Sequence, residues 1–207
     1  MAPRPAHALL TLQVGSGTSA TFCPDGGGCD LNPLADAVLY FVNLGGWSFS
    51  ASTAGVAPSL GTPALPSLHF GSVYSSGFGA GSIYVAATED GYTGPLLGNY
   101  LLSVGGLTMG TVSVEAFINS TLLGSLGLLT GAFSGTIGGP VYISGPYSLT
   151  IATTITHTEP GWSSLDTGLA LPEPASLILL GSGLLVLGLV SGRRKSEREL
   201  NGPLTSS

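Results

Sequence analysis

From Thr111 to Ile118 the chain reads TVSVEAFI, with Val112, Val114, Ala116 and Ile118 alternating against Thr111, Ser113, Glu115 and Phe117. The stretch YSLTIATTITHT does the same, setting Leu149, Ile151, Thr153 and Ile155 against Ser148, Thr150, Ala152 and Thr154. A period of two puts one set of side chains on one face of an extended strand, and β-branched residues suit a pleated, half-buried surface. AVLYFV and WSFSAS flank NLGG, which predicts a hairpin with glycine at the positive-φ positions. GSIYVAATED and NYLLSVGG supply further strands, with glycine-containing turns close behind. No long helical period interrupts these runs, and 33 glycines with 14 prolines punctuate them. The expected fold is all-β, an antiparallel β-sandwich or jelly-roll-like body of roughly ten strands. Residues 1–165 are expected to form this body, with 166–171 a linker ahead of Pro172 and Pro174.

Charge narrows the possible partners. Only 8 % of residues are charged, against about 25 % in ordinary soluble proteins. Between Arg4 and Arg193 there is no Lys or Arg, whereas nine acids lie in that interval. Such a body cannot neutralise phosphates, so nucleic acid and anionic headgroups are poor candidate ligands and no nucleic-acid partner is expected. It has no Lys or Arg ion pairs of its own, so burial and backbone hydrogen bonds must hold it. Trypsin accordingly has no site from Pro5 to Gly192, and the digest of fully denatured protein retains this span as one fragment by mass. A tryptic fragment ending inside it would contradict the sequence.

The C-terminus obeys different rules. Residues 175–192 carry no charge and are dominated by Leu, Ile, Val and Gly. As a helix they would reach about 27 Å, close to the ~30 Å hydrocarbon core of a bilayer. Pro172 and Pro174 precede the run, and Arg193, Arg194, Lys195 and Arg198 follow it. By the positive-inside rule the basic cluster stays in the cytoplasm and the β body lies on the far side. One C-terminal transmembrane helix is therefore expected after the body.

Pro172-Glu173-Pro174, Ala175-Ser176, the glycine-bearing apolar run and the basic GRRK together resemble the PEP-CTERM sorting signal. The resemblance covers residues 172–198, with the motif at 172–174, the helix at 175–192, the basic cluster at 193–198 and a cytoplasmic tail at 199–207. It implies a protein of an exopolysaccharide-producing Gram-negative bacterium, held in the inner membrane with its body outside the cytoplasm. It further implies processing by an exosortase and delivery to the cell surface or biofilm matrix. Pro172, Glu173 and Pro174 carry over as a recognition motif, not as catalytic groups, and Arg193, Arg194 and Lys195 as the membrane stop. The N-terminus has one basic residue, Arg4, and a short apolar run broken by Gln13, so an export signal is expected upstream of Met1.

Little in the body suggests chemistry of its own. There is no G-x-S-x-G, G-x-G-x-x-G, P-loop or H-E-x-x-H motif. His7, His69 and His157 are far apart, and no pair of carboxylates singles itself out, Glu115 and Glu159 included. The expectation is a non-enzyme. Cys23 and Cys29 flank PDGGG and are read as a disulfide in an oxidising compartment, with free thiols as the rival; a zinc site would want more ligands. Asp25, Asp30, Asn32 and Asp36 offer oxygen ligands for Ca²⁺, the one cofactor considered, and are equally natural turn residues. Glu89 and Asp90 read as a turn. Trp47, Trp162, Tyr84, Tyr92, Tyr100 and Tyr147 are candidates for stacking on sugar, with Trp47, and also Trp162 beside Gly161, better read as core. The function expected is structural or adhesive, within exopolysaccharide. Its alternatives are a carbohydrate-binding module at the cell surface or an unprocessed single-pass membrane protein.

Overall fold

The computed structural model describes residues 9–54, 66–92 and 95–171. The expected sorting motif (Pro172, Glu173, Pro174), the apolar run 175–192 and the stop residues Arg193, Arg194 and Lys195 lie outside the described residues. No helix among the described residues is long and apolar enough to cross a membrane.

Ten antiparallel strands form the body: β1 (Leu10–Ser16), β2 (Ser19–Pro24), β3 (Val38–Leu44), β4 (Trp47–Ala54), β5 (Ser67–Gly77), β6 (Gly81–Tyr92), β7 (Leu96–Ile118), β8 (Thr121–Ile143), β9 (Tyr147–His157) and β10 (Gly161–Ala170). The predicted β3–β4 hairpin is present. Leu44 pairs with Trp47 across Gly45 and Gly46, whose φ values are 58° and 82°. Positive φ at both central residues matches the turn to the strand twist, and glycine takes it without a Cβ clash.

The strand order β2-β1-β6-β9-β7-β10-β5-β4-β3 forks at β7. β8 follows β7 along one edge. On the other edge β7 pairs with β10 as far as Thr108 and with β9 from Thr111 onward. Two arms leave the β7–β8 ribbon, β10-β5-β4-β3 and β9-β6-β1-β2. Leu12, Ile83, Val85, Leu149 and Ile155 from one arm share a single core cluster with Trp47, Phe49, Leu68, Phe70 and Leu169 from the other. The sheet is thus folded over on itself as a sandwich. Each fully buried Leu, Ile or Phe contributes about 1.5–3 kcal/mol, which is where a body without Lys or Arg must find its stability. The period-two expectation holds: Val112, Val114, Ala116 and Ile118 are buried, as are Leu149, Ile151, Thr153 and Ile155.

The fork has its own polar wiring. Between Thr108 and Thr111 the β7 ladder shifts register. Gly110 N–H donates to Thr108 Oγ1 at 3.0 Å, Thr108 Oγ1 meets Ser163 Oγ at 2.6 Å, and Ser163 Oγ meets His157 Nε2 at 2.9 Å. His157 also packs on Trp47, ring centroids 4.9 Å apart. Buried backbone and hydroxyl groups that a broken ladder leaves over are satisfied in this way.

Three expectations are corrected. NYLLSVGG and TVSVEAFIN are parts of one strand, β7, and not two strands with a turn between them. Its glycines serve close approach: a Cβ on Gly106 would stand 2.4 Å from Ser164 O, and one on Gly110 would stand 2.0 Å from Thr156 O. Residues 166–171 are not a linker. Residues 166–170 lie within β10 and Leu171 follows it, with Thr167, Leu169 and Leu171 buried in alternation, and Leu171 N–H donates to Pro66 O. Glu89 is not in a turn; it lies within β6, fully buried, paired with Leu10 and Leu149.

Candidate functional site

Outward-facing residues of β10 recur every second position: Trp162, Ser164, Asp166, Gly168 and Ala170. At ~3.3 Å per residue, Trp162 and Gly168 stand about 20 Å apart along the strand, the length of an extended ligand. β5 lies beside β10 in antiparallel register, with Ser164 opposite Tyr74 and Gly168 opposite His69. That register brings Tyr74 to Trp162, centroids 6.4 Å apart and planes 22° from parallel, and Tyr74 is 45 % exposed. Tyr74 was not among the aromatic residues singled out from sequence; its alternation in SVYSS gives the face but not the neighbour.

Midway along the strip, His69 Nε2 lies 2.9 Å from Asp166 Oδ1. Alternation along β10 puts Asp166 on the outward face, and a register shift between Leu165 and Thr167 sets two residues of β5 against it. The pair lies over Gly71, where a Cβ would stand 2.9 Å from the His69 ring and 3.3 Å from Asp166 Oδ2. Beyond it, His69, Leu101, Ser103, Gly168 and Ala170 line a largely apolar depression of about 400 Å³. A Cβ on Gly168 would touch both His69 and Ser103, so the missing side chain leaves the floor open. An aromatic pair, a hydrogen-bonded His–Asp pair and an apolar hollow therefore follow one another on one face. This arrangement can stack on ring faces and bond hydroxyls.

The other candidate residues are placed elsewhere. Trp47, Tyr92, Tyr100 and Tyr147 are buried, and only Tyr84 among the remaining aromatic candidates is exposed. Cys23 and Cys29 form a disulfide with Cα atoms 5.7 Å apart. In the loop that follows, Asp30 accepts N–H bonds from Gly26, Asn32 and Leu39. Asp25 accepts from Asp36 N–H, and Asn32 from Leu34 N–H. The loop's own amides thus take up oxygens that Ca²⁺ would use. Among the described residues no group of three or more His, Cys, Asp or Glu is arranged to hold a metal ion.

Ser163 and His157 resemble the start of a nucleophilic pair, yet both are buried, and burial pushes the imidazole below its usual pKa. Their geometry is that of the fork, not of an open site. A second buried group stands at the far end of the sandwich. Tyr92 Oη donates to Glu89 Oε2, Tyr92 stacks on Tyr147 with centroids 5.1 Å apart, and Glu89 Oε1 and Tyr147 Oη are without a partner among the described residues. Burial pushes the Glu89 carboxyl up to about 8; Asp36 and Asp90 add to the rise and the Tyr92 bond opposes it.

No protein-family model matches the chain, and no curated protein matches it. Among solved structures it is similar to a family 35 carbohydrate binding module from Clostridium thermocellum, at 16 % identity over 65 % of this chain and 91 % of that one, with a TM-score of 0.33. It is similar to a PA14 sugar-binding domain from an RTX adhesin, at 13 % identity over 79 % and 90 %, TM-score 0.37. A third is the xylan-binding module CBM15, at 15 % identity over 67 % and 99 %, TM-score 0.31. Likeness at this level assigns neither a family nor a ligand.

Proposed function

We propose that this chain carries a glycan-binding β-sandwich to the cell surface or the exopolysaccharide matrix. The observation that carries the reading is the Tyr74–Trp162 pair standing outward beside His69–Asp166 on the β5–β10 face. Sugar rings present apolar faces and equatorial hydroxyls, and this strip offers a surface for each. A body without Lys or Arg leaves the strip best suited to uncharged polysaccharide. Losing one stacked aromatic removes about 1.5 kcal/mol, or tenfold in affinity. Trp162→Ala is expected to weaken retention on glycan arrays and polysaccharide gels by about that factor, and Tyr74→Ala likewise. Retention by both variants equal to that of the wild type, or no glycan retained by the wild type, would remove the reading.

Delivery rests on the C-terminal sequence. Pro172-Glu173-Pro174, the apolar run and Arg193-Arg194-Lys195 support sorting by an exosortase. Protein recovered from its host's surface or matrix is expected to lack the residues beyond about Pro174 by intact mass. An intact C-terminus through Ser207 would make the segment a permanent single-pass anchor instead.

A further inference from the structure

Three strands end the forked sheet: β2, β3 and β8. Exposed strand edges template pairing with other chains, and folded proteins ordinarily blunt them with charge, proline, bulges or covering loops. β3 is covered at Leu39, where Leu31 N–H donates to Leu39 O and Leu39 N–H donates to Asp30. β2 closes toward β3 through the Thr21–Tyr40 hydroxyl contact and continues into the disulfide loop. β8 is treated differently. Among the described residues it pairs with β7 alone, and its 23 residues contain no charge. Register shifts interrupt its pairing between Leu122 and Gly131, and Pro140, which has no N–H to offer, breaks the free edge later. Between them Gly131–Gly139 runs in unbroken register with Tyr100–Thr108.

The inward side chains of this strand are unfinished. Leu126, Leu129, Phe133 and Ile137 pack on the core yet remain only partly buried, because the sheet stops beside them. A further strand would complete their burial. The geometry points to a second copy of this chain as its occupant, joined β8 to β8 in antiparallel pairing about a two-fold axis at Gly135. In that register Phe133 faces Ile137 of the second copy, Ser134 faces Thr136, and the axis passes between two glycines. The run is self-complementary, as an isologous interface requires. It is also the contact that a molecule of net charge −6 can make without setting like charges together, since the one loop that joins β2 to β3, at the other edges, carries Asp25, Asp30 and Asp36. Pairing through β8 leaves the β5–β10 strip uncovered, so a dimer presents two copies of it. The inference does not depend on what that strip binds.

The test uses the full-length chain in mild detergent. Sedimentation is expected to give a concentration-dependent dimer. Gly135→Cys is expected to cross-link it under mild oxidation, because directly opposed Cβ atoms in antiparallel strands come within ~5 Å. A Cβ at Gly135 meets Leu126 at an ordinary 3.5 Å, so the substitution fits. Thr136→Lys places a charge on the edge and is expected to abolish the dimer while leaving the β spectrum unchanged. Should the lysine variant lose its fold, Thr136→Pro serves in its place, since Pro140 shows that this parity needs no N–H toward β7. A monomer at every concentration would overturn the proposal. So would a dimer that survives the edge substitutions, or one that Gly135→Cys fails to cross-link; either places the contact elsewhere.

Discussion

Gly110→Ala is expected to cost the body about 4 kcal/mol or more, enough to unfold a marginal domain. The added Cβ would stand 2.0 Å from Thr156 O and 2.5 Å from the His157 ring. Thr156 O is backbone held in the β7–β9 pairing, so no side-chain rotation can relieve the clash. The same substitution displaces His157 from Ser163 and Trp47, opening the polar chain at the fork. Gly127→Ala on β8 is the control, because a Cβ there meets nothing within 4 Å. It is expected to change stability by no more than about 0.5 kcal/mol. Urea midpoints of the two variants measure the difference. Equal midpoints would mean that β7 does not pass as closely under β9 as the fold-over demands.

The second large effect is on pH. Glu89 is held protonated in the folded state up to about pH 8, while the unfolded chain ionises it near 4.5. Between those values the folded state holds the extra proton, so stability falls as pH rises and levels off above 8. His157 works in the opposite sense, because its folded pKa is depressed. Its stability contribution is present above pH ~6.5 and is lost as pH falls below that value. The window from about 6.5 to 8 therefore isolates Glu89, and stability should decline across it by about 2 kcal/mol. The groups facing the carboxyl are Tyr92, Tyr147, Asp36 and Asp90; burial raises both tyrosines, so neither ionises in this window. Glu89→Gln mimics the protonated acid and still accepts the Tyr92 hydroxyl. Its denaturation midpoint should be level from pH 6.5 to 8 and exceed the wild type at pH 8. A wild-type midpoint that rises over the window would show that Glu89 ionises in place.

Strand content was legible because its signal is local. Alternation at Val112–Ile118 and Leu149–Ile155 needs no knowledge of neighbours, and Gly45-Gly46 between two such runs admits one turn geometry. The same residue type misled at Gly105-Gly106. A glycine that permits a turn and a glycine that permits another backbone to pass look identical in one dimension, so one long strand read as two. β8 was silent for a related reason, since its glycines interrupt the hydrophobic pattern that marks a strand. Along β10, Leu165, Thr167 and Leu169 do alternate, but the prolines after them suggested a linker too early.

The site divides along the same line. Trp162 could be named as an aromatic beside a glycine, yet whether it faces solvent, and what stands beside it, depends on β5–β10 register. Tyr74 is remote from it in sequence, and only pairing of those strands makes the two a surface. Glu89 offers the sharpest contrast. Acid, turn-like neighbours and all, it reads as exposed, but its parity on β6 directs it between two layers, where desolvation favours the neutral acid.

By itself the sequence determined the β class, the absence of Lys and Arg between Arg4 and Arg193, and the separate composition of residues 172–198. These follow from composition and short-range periodicity, which act residue by residue. The tertiary structure alone decided where the sheet folds over, which glycines are obligatory, which acid is buried and which aromatic residues meet. Each of those depends on what lies across a strand pair or across the core, and the energy of a contact or of desolvation is set by that neighbour.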